Sequence, residues 1–214
     1  MNWVALRYLS WLDTRARFVA RTPPRGRLLD LGSSDGETLN HFAELRPDLT
    51  LYAADKFGQP ERYPPNCQFS RVDFVTDRLP WPDQFFDTVT CMHVVEHLDS
   101  LQNLLSEIAR VLKPGGRVYI ETPHPKTAQL PSAAGKFTLN FYDDATHVRI
   151  VSVVELRRAM ISTRLQPRRS GISRNWLFAA SYPWFYFCRP SRKQFTARVH
   201  WIGWSAYLVA QRLP

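Results

Sequence analysis

One stretch limits the possible folds of this chain more than any other, and it covers residues 27–42, RLLDLGSSDGETLNHF. An apolar run ends in Asp30, a turn of small residues follows, and an amphipathic segment begins directly after Gly36. This order predicts a strand, a tight turn and a helix, because glycine permits a sharp turn and the close approach of a ligand. The free N–H groups of such a helix can bind a polar or anionic group. The Asp30 carboxylate before the turn would favour a ligand that carries a cation.

The turn by itself is compatible with two other enzyme classes. Residues 32–36, GSSDG, match the G-x-S-x-G turn of serine hydrolases, with Ser34 as the nucleophile. They also loosely resemble a dinucleotide-binding loop, although Gly32-Ser33-Ser34 is not the G-x-G that this loop requires. The choice between these classes therefore depends on the segments that follow.

Those segments alternate between strand and helix patterns as far as residue 122. The predicted strands are residues 27–32, 49–55, 68–73, 85–92 and 117–122, and the predicted helices are residues 36–46 and 101–112. Such alternation predicts a parallel sheet with helices on both faces. Ligands of these sheets bind outside the carboxyl ends of the strands. Asp30, Asp55, Asp73 and His93 all fall at that edge.

The acids at these strand ends suit a nucleoside that carries a positive charge. Asp55 lies 19 residues beyond Gly36, where a carboxylate at the tip of the neighbouring strand can accept both hydroxyls of a ribose. Asp73 and Phe74 together offer a hydrogen-bond acceptor beside an aromatic face, which suits the amino group and ring of adenine.

The ordered series LLDLGSSDG, LYAAD, VDF, LPWPDQFFDTVTCMHVVEHL and EIARVLKPGGRVYIETP resembles class I S-adenosylmethionine-dependent methyltransferases of the type 11/23 group. The resemblance covers residues 27–122 and is weaker beyond them. It implies an α/β, Rossmann-like fold with a seven-stranded, mostly parallel sheet, helices on both faces and an antiparallel last strand. It also implies S-adenosyl-L-methionine as cofactor, bound by Asp30, Gly32, Ser34, Gly36, Asp55, Asp73, Phe74 and His93.

One residue departs from the family pattern, since many members have glycine where this chain has Ser34. Serine is small enough to keep the turn. The resemblance disfavours the hydrolase, which would need an Asp and a His that serve Ser34 rather than acids at successive strand ends.

The chain is expected to have four parts. Residues 1–26 form an amphipathic helix or lid, with Trp3, Leu6, Leu9 and Leu12 in one apolar stripe. Residues 27–175 form the cofactor-binding core, including a helix at 151–160 and a sixth strand within 165–175. Residues 176–204 form an aromatic, basic insertion, and residues 205–214 supply the final strand.

The catalytic candidates are His97, His147 and Glu96. Methyl transfer depends chiefly on holding the reactants in line. A hydroxyl acceptor also benefits from a general base, and histidine titrates near neutral pH. Glu96 or Asp144 could orient the histidine. His93-x-x-Glu96-His97 with the later His147 also resembles the E-x-x-E-H metal cluster of some O-methyltransferases, but His93 replaces the first glutamate and makes magnesium less suitable. A divalent metal stays open but is not favoured over a base or a bracing role.

The positive charge is concentrated after Glu155. Residues 156–214 contain eleven basic residues, no acidic ones and four of the seven tryptophans, whereas the preceding residues carry 17 basic and 19 acidic residues. Interleaved arginine and tryptophan suits an anionic membrane surface. Nucleic acid is the less favoured partner, since the run at 176–187 is too apolar for a groove that follows a phosphate backbone. A solvated basic face over an aromatic core is the third interpretation.

Three cysteines without a C-x-x-C pair suit a reducing compartment. The arginine-interrupted N-terminus does not resemble a signal peptide, and no apolar run is long enough to span a bilayer. We expect a cytoplasmic enzyme, with peripheral membrane association. It would O-methylate a glycan, lipid-linked or quinone-like acceptor. A nucleic-acid methyltransferase is the first alternative, although the chain lacks an Asn/Asp-Pro-Pro-Tyr/Phe motif after strand four. A non-catalytic binding module with the cofactor fold is the second.

Overall fold

A computed structural model describes residues 4–133 and 138–214, and it contains a seven-stranded sheet in the order β3-β2-β1-β4-β5-β7-β6. The strands are β1 (Arg27–Leu31), β2 (Thr50–Asp55), β3 (Gln68–Arg71), β4 (Phe86–Met92), β5 (Leu112–Pro123), β6 (Leu165–Ile172) and β7 (Ser205–Arg212). The helices are α1 (Thr14–Val19), α2 (Glu37–Leu45), α3 (Gln102–Val111), α4 (Val153–Ile161), α5 (Trp176–Phe185) and α6 (Arg192–Ile202). The predicted fold class is confirmed.

Strand β1 is third in the order of the sheet and pairs in parallel with β2 on one side and with β4 on the other. The last strand, β7, runs antiparallel to both of its neighbours, β5 and β6. The chain proceeds outward from β1 to β3 and then returns to β4, so the strand order reverses at β1. Parallel α/β sheets bind their ligands at such a reversal, outside the carboxyl ends of the strands.

Two apolar clusters cover the two faces of the sheet. On one face, α3 and α4 bury Leu104, Ile108 and Leu156 against the strands. On the other face, α1 and α2 bury Phe18 and Phe42. Apolar residues at helical spacing produce this packing, because each helix presents one stripe to the sheet.

The N-terminal segment is not one amphipathic helix. Two 3-10 turns, Ala5–Arg7 and Ser10–Leu12, precede the six-residue helix α1. Extended Asp13 separates them, and its carboxylate accepts hydrogen bonds from the Ala16 N–H and from the Asn175 side chain, both at 2.9 Å. This cap interrupts the expected stripe: Leu6 is buried but Leu9 is 43% exposed. Trp3 lies outside the described residues.

Strand β5 begins five residues earlier than the predicted boundary of residue 117. Pro114, Gly115 and Gly116 were expected to end a helix, yet they lie within β5 as a bulge between the pairs Phe86–Leu112 and Thr88–Arg117. Gly115 has a φ of +79°, which suits the extra residues that a bulge inserts.

Residues 176–204, the segment expected as an aromatic insertion, contain the antiparallel helix pair α5 and α6 between β6 and β7. The pair follows Arg174, whose carbonyl accepts from the Thr14 N–H and hydroxyl, so its base is fixed to the start of α1. Within the described ranges, no helix combines the length and apolar character that crossing a bilayer requires.

Candidate active site

The turn after β1 requires glycine at two positions. Gly32 and Gly36 have φ values of +79° and +78°, and a Cβ atom would overlap the Val94 side chain at Gly32 and the Tyr63 ring at Gly36. Ser34 adopts the left-handed region itself, with a φ of +45°. Its carbonyl oxygen accepts hydrogen bonds from the Tyr63 hydroxyl at 2.9 Å and from the Gln59 N–H at 3.0 Å, which hold the turn in place.

A cavity of about 500 Å³ lies at the carboxyl ends of β1 and β2, and we call it the cofactor cavity. Six of the eight residues predicted to bind the cofactor line it, namely Gly32, Ser34, Asp55, Asp73, Phe74 and His93. The cavity is therefore built from the strand ends that the sequence pattern indicated.

The two carboxylates of this cavity are held by short hydrogen bonds. Asp55 accepts from the Ser34 N–H at 2.9 Å and from the Phe57 N–H at 2.6 Å. Asp73 pairs with the Lys56 ammonium at 2.6 Å and accepts from the Val75 N–H at 3.0 Å, and these contacts hold the pKa of Asp73 below its usual value. Both side chains are thus held in place at the wall of the cavity, where their oxygens can accept hydrogen bonds from a ligand.

Asp30 and Gly36 are not among the lining residues. Gly36 is the N-cap of helix α2, and Asp30 is 1% exposed within the sheet, where it accepts a hydrogen bond from the Thr90 hydroxyl at 2.7 Å. Burial raises the pKa of Asp30 to about 7, even though the Thr90 hydrogen bond and the Arg15 charge act in the opposite direction. Asp30 is therefore poised to change charge near neutral pH.

A buried charge network begins at the end of β4, where His93 has a φ of +56°. The His93 ring contacts Glu96 Oε1 at 3.1 Å through Nδ1 and Glu121 Oε1 at 3.4 Å through Nε2. Glu121 also accepts a bidentate pair of hydrogen bonds from the Arg15 guanidinium and another from the Tyr119 hydroxyl at 2.6 Å.

The network changes the pKa values of its members. Burial alone would lower the pKa of His93, but the carboxylates of Glu121 and Glu96 raise it to about 9. Burial alone would raise the pKa of Glu121, but the charges of Arg15 and His93 hold it well below its usual value. The positive charges of Arg15 and His93 therefore lie against the carboxyl groups of Glu121 and Glu96, and His93 is the member of this network that lines the cofactor cavity.

Arg15 and Glu121 were not predicted as site residues. Arg15 falls in the segment expected as an amphipathic helix or lid, away from its apolar stripe, and nothing in that pattern indicates a site residue. The sequence contains a weak indication for Glu121. An acidic residue in an otherwise apolar strand, near the edge of the sheet where ligands bind, is a candidate for a buried ion pair. Only the fold brings these two residues together across 106 positions.

A second cavity of about 480 Å³ adjoins the first, and we call it the acceptor cavity. Helix α6 supplies Phe195, Val199 and His200 to its wall. His93 and His97 line both cavities. The Glu96, His97 and His147 side chains, the predicted catalytic residues, all face the acceptor cavity.

His97 and His147 have the same local arrangement. His97 Nδ1 contacts the Thr146 carbonyl oxygen at 2.9 Å, and His147 Nδ1 contacts the Phe141 carbonyl oxygen at 2.7 Å. A carbonyl only accepts hydrogen bonds, so Nδ1 is the donor in each ring, and in the neutral ring Nε2 carries the lone pair. The ring centroids lie 5.0 Å apart. Both histidines can therefore act as a base or as a ligand through Nε2.

We expected that the Glu96 carboxylate could orient a catalytic histidine, His97 or His147, but its hydrogen bonds go to other residues. It is fully buried and contacts His93 and the Thr122 hydroxyl, the latter at 3.1 Å, rather than His97. Asp144 lies 3.7 Å from His147 Nε2. Ligand atoms of Glu96, His97 and His147 nevertheless lie within 4.8 Å of one another. Two imidazoles and one carboxylate fit a zinc-like ion better than magnesium, and the metal alternative stays open.

The family model of a methyltransferase domain matches residues 4–164. The chain belongs to this family, and it is a methyltransferase domain of the S-adenosylmethionine-dependent class. Its fold agrees: an S-adenosylmethionine-dependent methyltransferase from Mesorhizobium loti superimposes with a TM-score of 0.66 at 16% identity, over 96% of this chain and 98% of that one.

The chain is similar in sequence to curated methyltransferases, including two that cover more than half of it. A methyltransferase of Bacillus subtilis without an assigned reaction is 29% identical over 148 residues, which cover 65% of this chain and 56% of the relative. A ubiquinone biosynthesis O-methyltransferase of Paracidovorax citrulli is 29% identical over 170 residues, which cover 73% of this chain and 68% of the relative. The chain thus spans only about half to two thirds of the length of these relatives.

Proposed function

We propose that this chain transfers a methyl group from S-adenosylmethionine to a hydroxyl oxygen of a glycan, lipid-linked or quinone-like acceptor at a membrane surface. The observation that carries the proposal is the pair of adjoining cavities that share His93 and His97. One cavity has the carboxylates and aromatic side chain that suit a nucleoside, and the other has histidines with a free ring nitrogen.

The residues of the cofactor cavity fit the cofactor group by group. Asp55 would accept from the ribose hydroxyls, Asp73 and Phe74 would hold the adenine, and the backbone at Gly32 and Ser34 would approach the methionine part. When bound there, S-adenosylmethionine supplies an electrophilic methyl group on a cationic sulfur.

His97 is the favoured general base because it stands at the junction of the two cavities. Its Nε2 would take the proton of the acceptor hydroxyl as the new carbon–oxygen bond forms. His200 lies in the same cavity, but burial and the Arg15 charge lower the pKa of His200 to about 4, which leaves it a weaker base. His147 would supplement His97 or share a metal ion with it.

The helix pair α5–α6 supports the membrane part of the proposal. Helix α6 of the pair lines the acceptor cavity, while Trp184 and Phe187 at the tip of the pair are 80% and 87% exposed. Arg189, Arg192 and Lys193 follow within six residues of this tip. Aromatic side chains beside cations suit the headgroup depth of an anionic bilayer. An acceptor held in a membrane would then reach the acceptor cavity along α6.

A labelled-methyl screen tests the reaction. The purified protein is incubated with [methyl-³H]S-adenosylmethionine and lipid, quinone, glycan or RNA extracts, with and without a chelator. We expect label in an alkali-stable product of the lipid, quinone or glycan fraction and a loss of about 100-fold or more in kcat for His97→Gln. Activity that a chelator abolishes and a divalent ion restores would instead assign His97 and His147 to a metal site. Label only in RNA, or cofactor binding without turnover, would overturn the proposed acceptor.

Vesicle co-sedimentation tests the membrane surface. We expect binding to phosphatidylglycerol vesicles, weak binding to phosphatidylcholine vesicles, and a clear loss of binding for the double variant Trp184→Ala/Phe187→Ala. Val154→Ala/Ile161→Ala is the matched control, since both side chains are exposed on α4. Equal binding of the two double variants, or no binding to either vesicle, would contradict a membrane role for the helix pair.

A further inference from the structure

A third cavity, of about 240 Å³, lies on the α1 side of the sheet away from the reaction site. We call it the arginine pocket, because five arginines line it: Arg17, Arg21, Arg117, Arg168 and Arg169. They come from α1 and the turn after it, from β5 and from β6. The pocket shares no lining residue with the cofactor cavity or the acceptor cavity.

The floor of the arginine pocket is aromatic. Tyr119 and Tyr207 stack with their ring centroids 5.3 Å apart, and Phe18 lies beside them. The Tyr119 hydroxyl points out of the pocket to Glu121 and Ser173. Glu121, on the far side of the Tyr119 ring, is already paired with Arg15. It therefore does not neutralise the arginines of the pocket.

No carboxylate lines the arginine pocket, and none forms an ion pair with its five arginines anywhere in residues 4–133 and 138–214. Their recorded partners are neutral: Arg117 donates to the Arg21 carbonyl and lies over the Phe18 ring, and Arg168 donates to the Gln211 side chain at 3.1 Å. Burial and the Arg21 charge lower the pKa of the Arg117 guanidinium. The side chains therefore repel one another without a counter-charge.

Several arginines elsewhere in the chain pair with carboxylates, which the pocket arginines do not. Arg46, Arg110 and Arg149 each contact a carboxylate at 2.5–2.8 Å. A concave site in which five guanidinium groups converge without such partners attracts anions. The planar fork of arginine matches phosphate oxygens in pairs, which a lone ammonium cannot do.

We propose that the arginine pocket is a second ligand site, which binds two adjacent phosphate groups of a free diphosphate or of a lipid headgroup. Two phosphate groups suit the pocket better than one, because the arginines that line it from α1, β5 and β6 carry five positive charges. A diphosphate brings more negative charge and more acceptor oxygens to these guanidinium groups than a single phosphate does. This site does not depend on the proposed methyl acceptor.

Calorimetric titration of the full chain with inorganic pyrophosphate tests the site, with inorganic phosphate and sulfate as comparison anions. The test variant is Arg168→Gln/Arg169→Gln, in which both changed side chains are exposed. The control is Arg157→Gln/Arg158→Gln, which removes the same charge from exposed positions on α4, on the other face of the sheet. A thermal melt of each variant establishes that it folds.

We expect saturable binding of one pyrophosphate per chain, at least ~10-fold weaker binding by the test variant, and less than about a twofold change for the control. Pyrophosphate should bind more tightly than phosphate or sulfate. Cofactor affinity should be unchanged in the test variant. Equal weakening in both variants would show diffuse attraction by net charge and would overturn the site, as would the absence of saturable binding.

A vesicle arm separates the two sources of phosphate. If the ligand is a lipid headgroup, vesicles that contain a lipid diphosphate should compete with free pyrophosphate, and the test variant should lose that competition. If the ligand is free, pyrophosphate should bind and such vesicles should not compete. Retention by singly charged phosphatidylglycerol vesicles alone, with no binding of pyrophosphate, would contradict a diphosphate pocket.

Discussion

Replacing Asp30 with asparagine should remove a pH dependence from both the stability of the protein and its affinity for the cofactor. The Asp30 carboxyl is buried and its pKa is raised from 3.8 to about 7. Between these two pH values the folded protein keeps a proton that the unfolded chain has lost. Stability therefore falls as pH rises from about 4 to 7.

The size of this change in stability follows from the pKa shift of Asp30. Each pKa unit corresponds to 1.36 kcal/mol, so the ionised Asp30 costs about 4 kcal/mol of stability at pH 8 relative to pH 4. Asparagine keeps an acceptor for the Thr90 hydroxyl but does not ionise. The free energy of unfolding of Asp30→Asn minus that of the wild type should therefore grow by about 4 kcal/mol from pH 4 to pH 8, since the other titrating groups are common to both proteins.

The affinity for the cofactor should depend on the same titration of Asp30. A cationic ligand favours the ionised carboxylate, whose population rises about eightfold between pH 6 and pH 7.5 for a pKa near 7. The affinity for S-adenosylmethionine should therefore rise with pH in the wild type, by no more than this factor because Asp30 acts from outside the cavity lining, and stay flat in Asp30→Asn. Chemical denaturation and calorimetry across this pH range supply both numbers. A stability difference that does not vary with pH, or equal slopes of affinity in the two proteins, would refute the reasoning.

Two further changes test the turn and the charge network. Gly36→Ala should lose about 2 kcal/mol or more of unfolding free energy, because the new Cβ meets the Tyr63 ring at a positive φ. Ser34→Gly should stay within about 1 kcal/mol of the wild type. Denaturant unfolding compares the two variants, and equal losses of unfolding free energy would contradict the stated role of Gly36. Glu121→Gln should cost about 3–5 kcal/mol of unfolding free energy and lower the pKa of His93 from about 9 toward 6.5, since it removes the carboxylate that Arg15 and His93 share. NMR titration of the His93 ring measures the pKa change, with Glu61→Gln as a surface control. An unchanged His93 pKa would contradict the explanation.

Parts of this fold could be predicted because they are encoded locally. A parallel strand buried on both faces is a short apolar run, and the turn after β1 needs small residues, so β1, β2 and the residues at their ends were recognisable. The two corrections have long-range causes. Asp13 ends the expected N-terminal helix because it pairs with Asn175, 162 positions away. The glycines of residues 115 and 116 resemble a helix stop, and only pairing with β4 makes them a bulge.

The candidate site divides in the same way. The positions of Asp55, Asp73 and Phe74 at the cavity were predictable because Asp55 ends β2 and the other two follow β3. The Arg15–Glu121 pair and the α6 wall of the acceptor cavity were not, because they depend on how distant segments dock onto the sheet. The aromatic run of α5 also carries no amphipathic period, which is why its helical form was not apparent from the sequence.

The cofactor cavity is the centre of this account, and equilibrium dialysis with [methyl-³H]S-adenosylmethionine tests it most directly. Wild-type protein should bind one equivalent, and Asp55→Asn should bind at least ~10-fold more weakly, because charge-assisted hydrogen bonds to the ribose hydroxyls are lost. Asp99→Asn, at an exposed position outside the cavity, should change the affinity less than about twofold. Absence of saturable binding by the folded wild type, or equal affinities for all three proteins, would contradict the assignment.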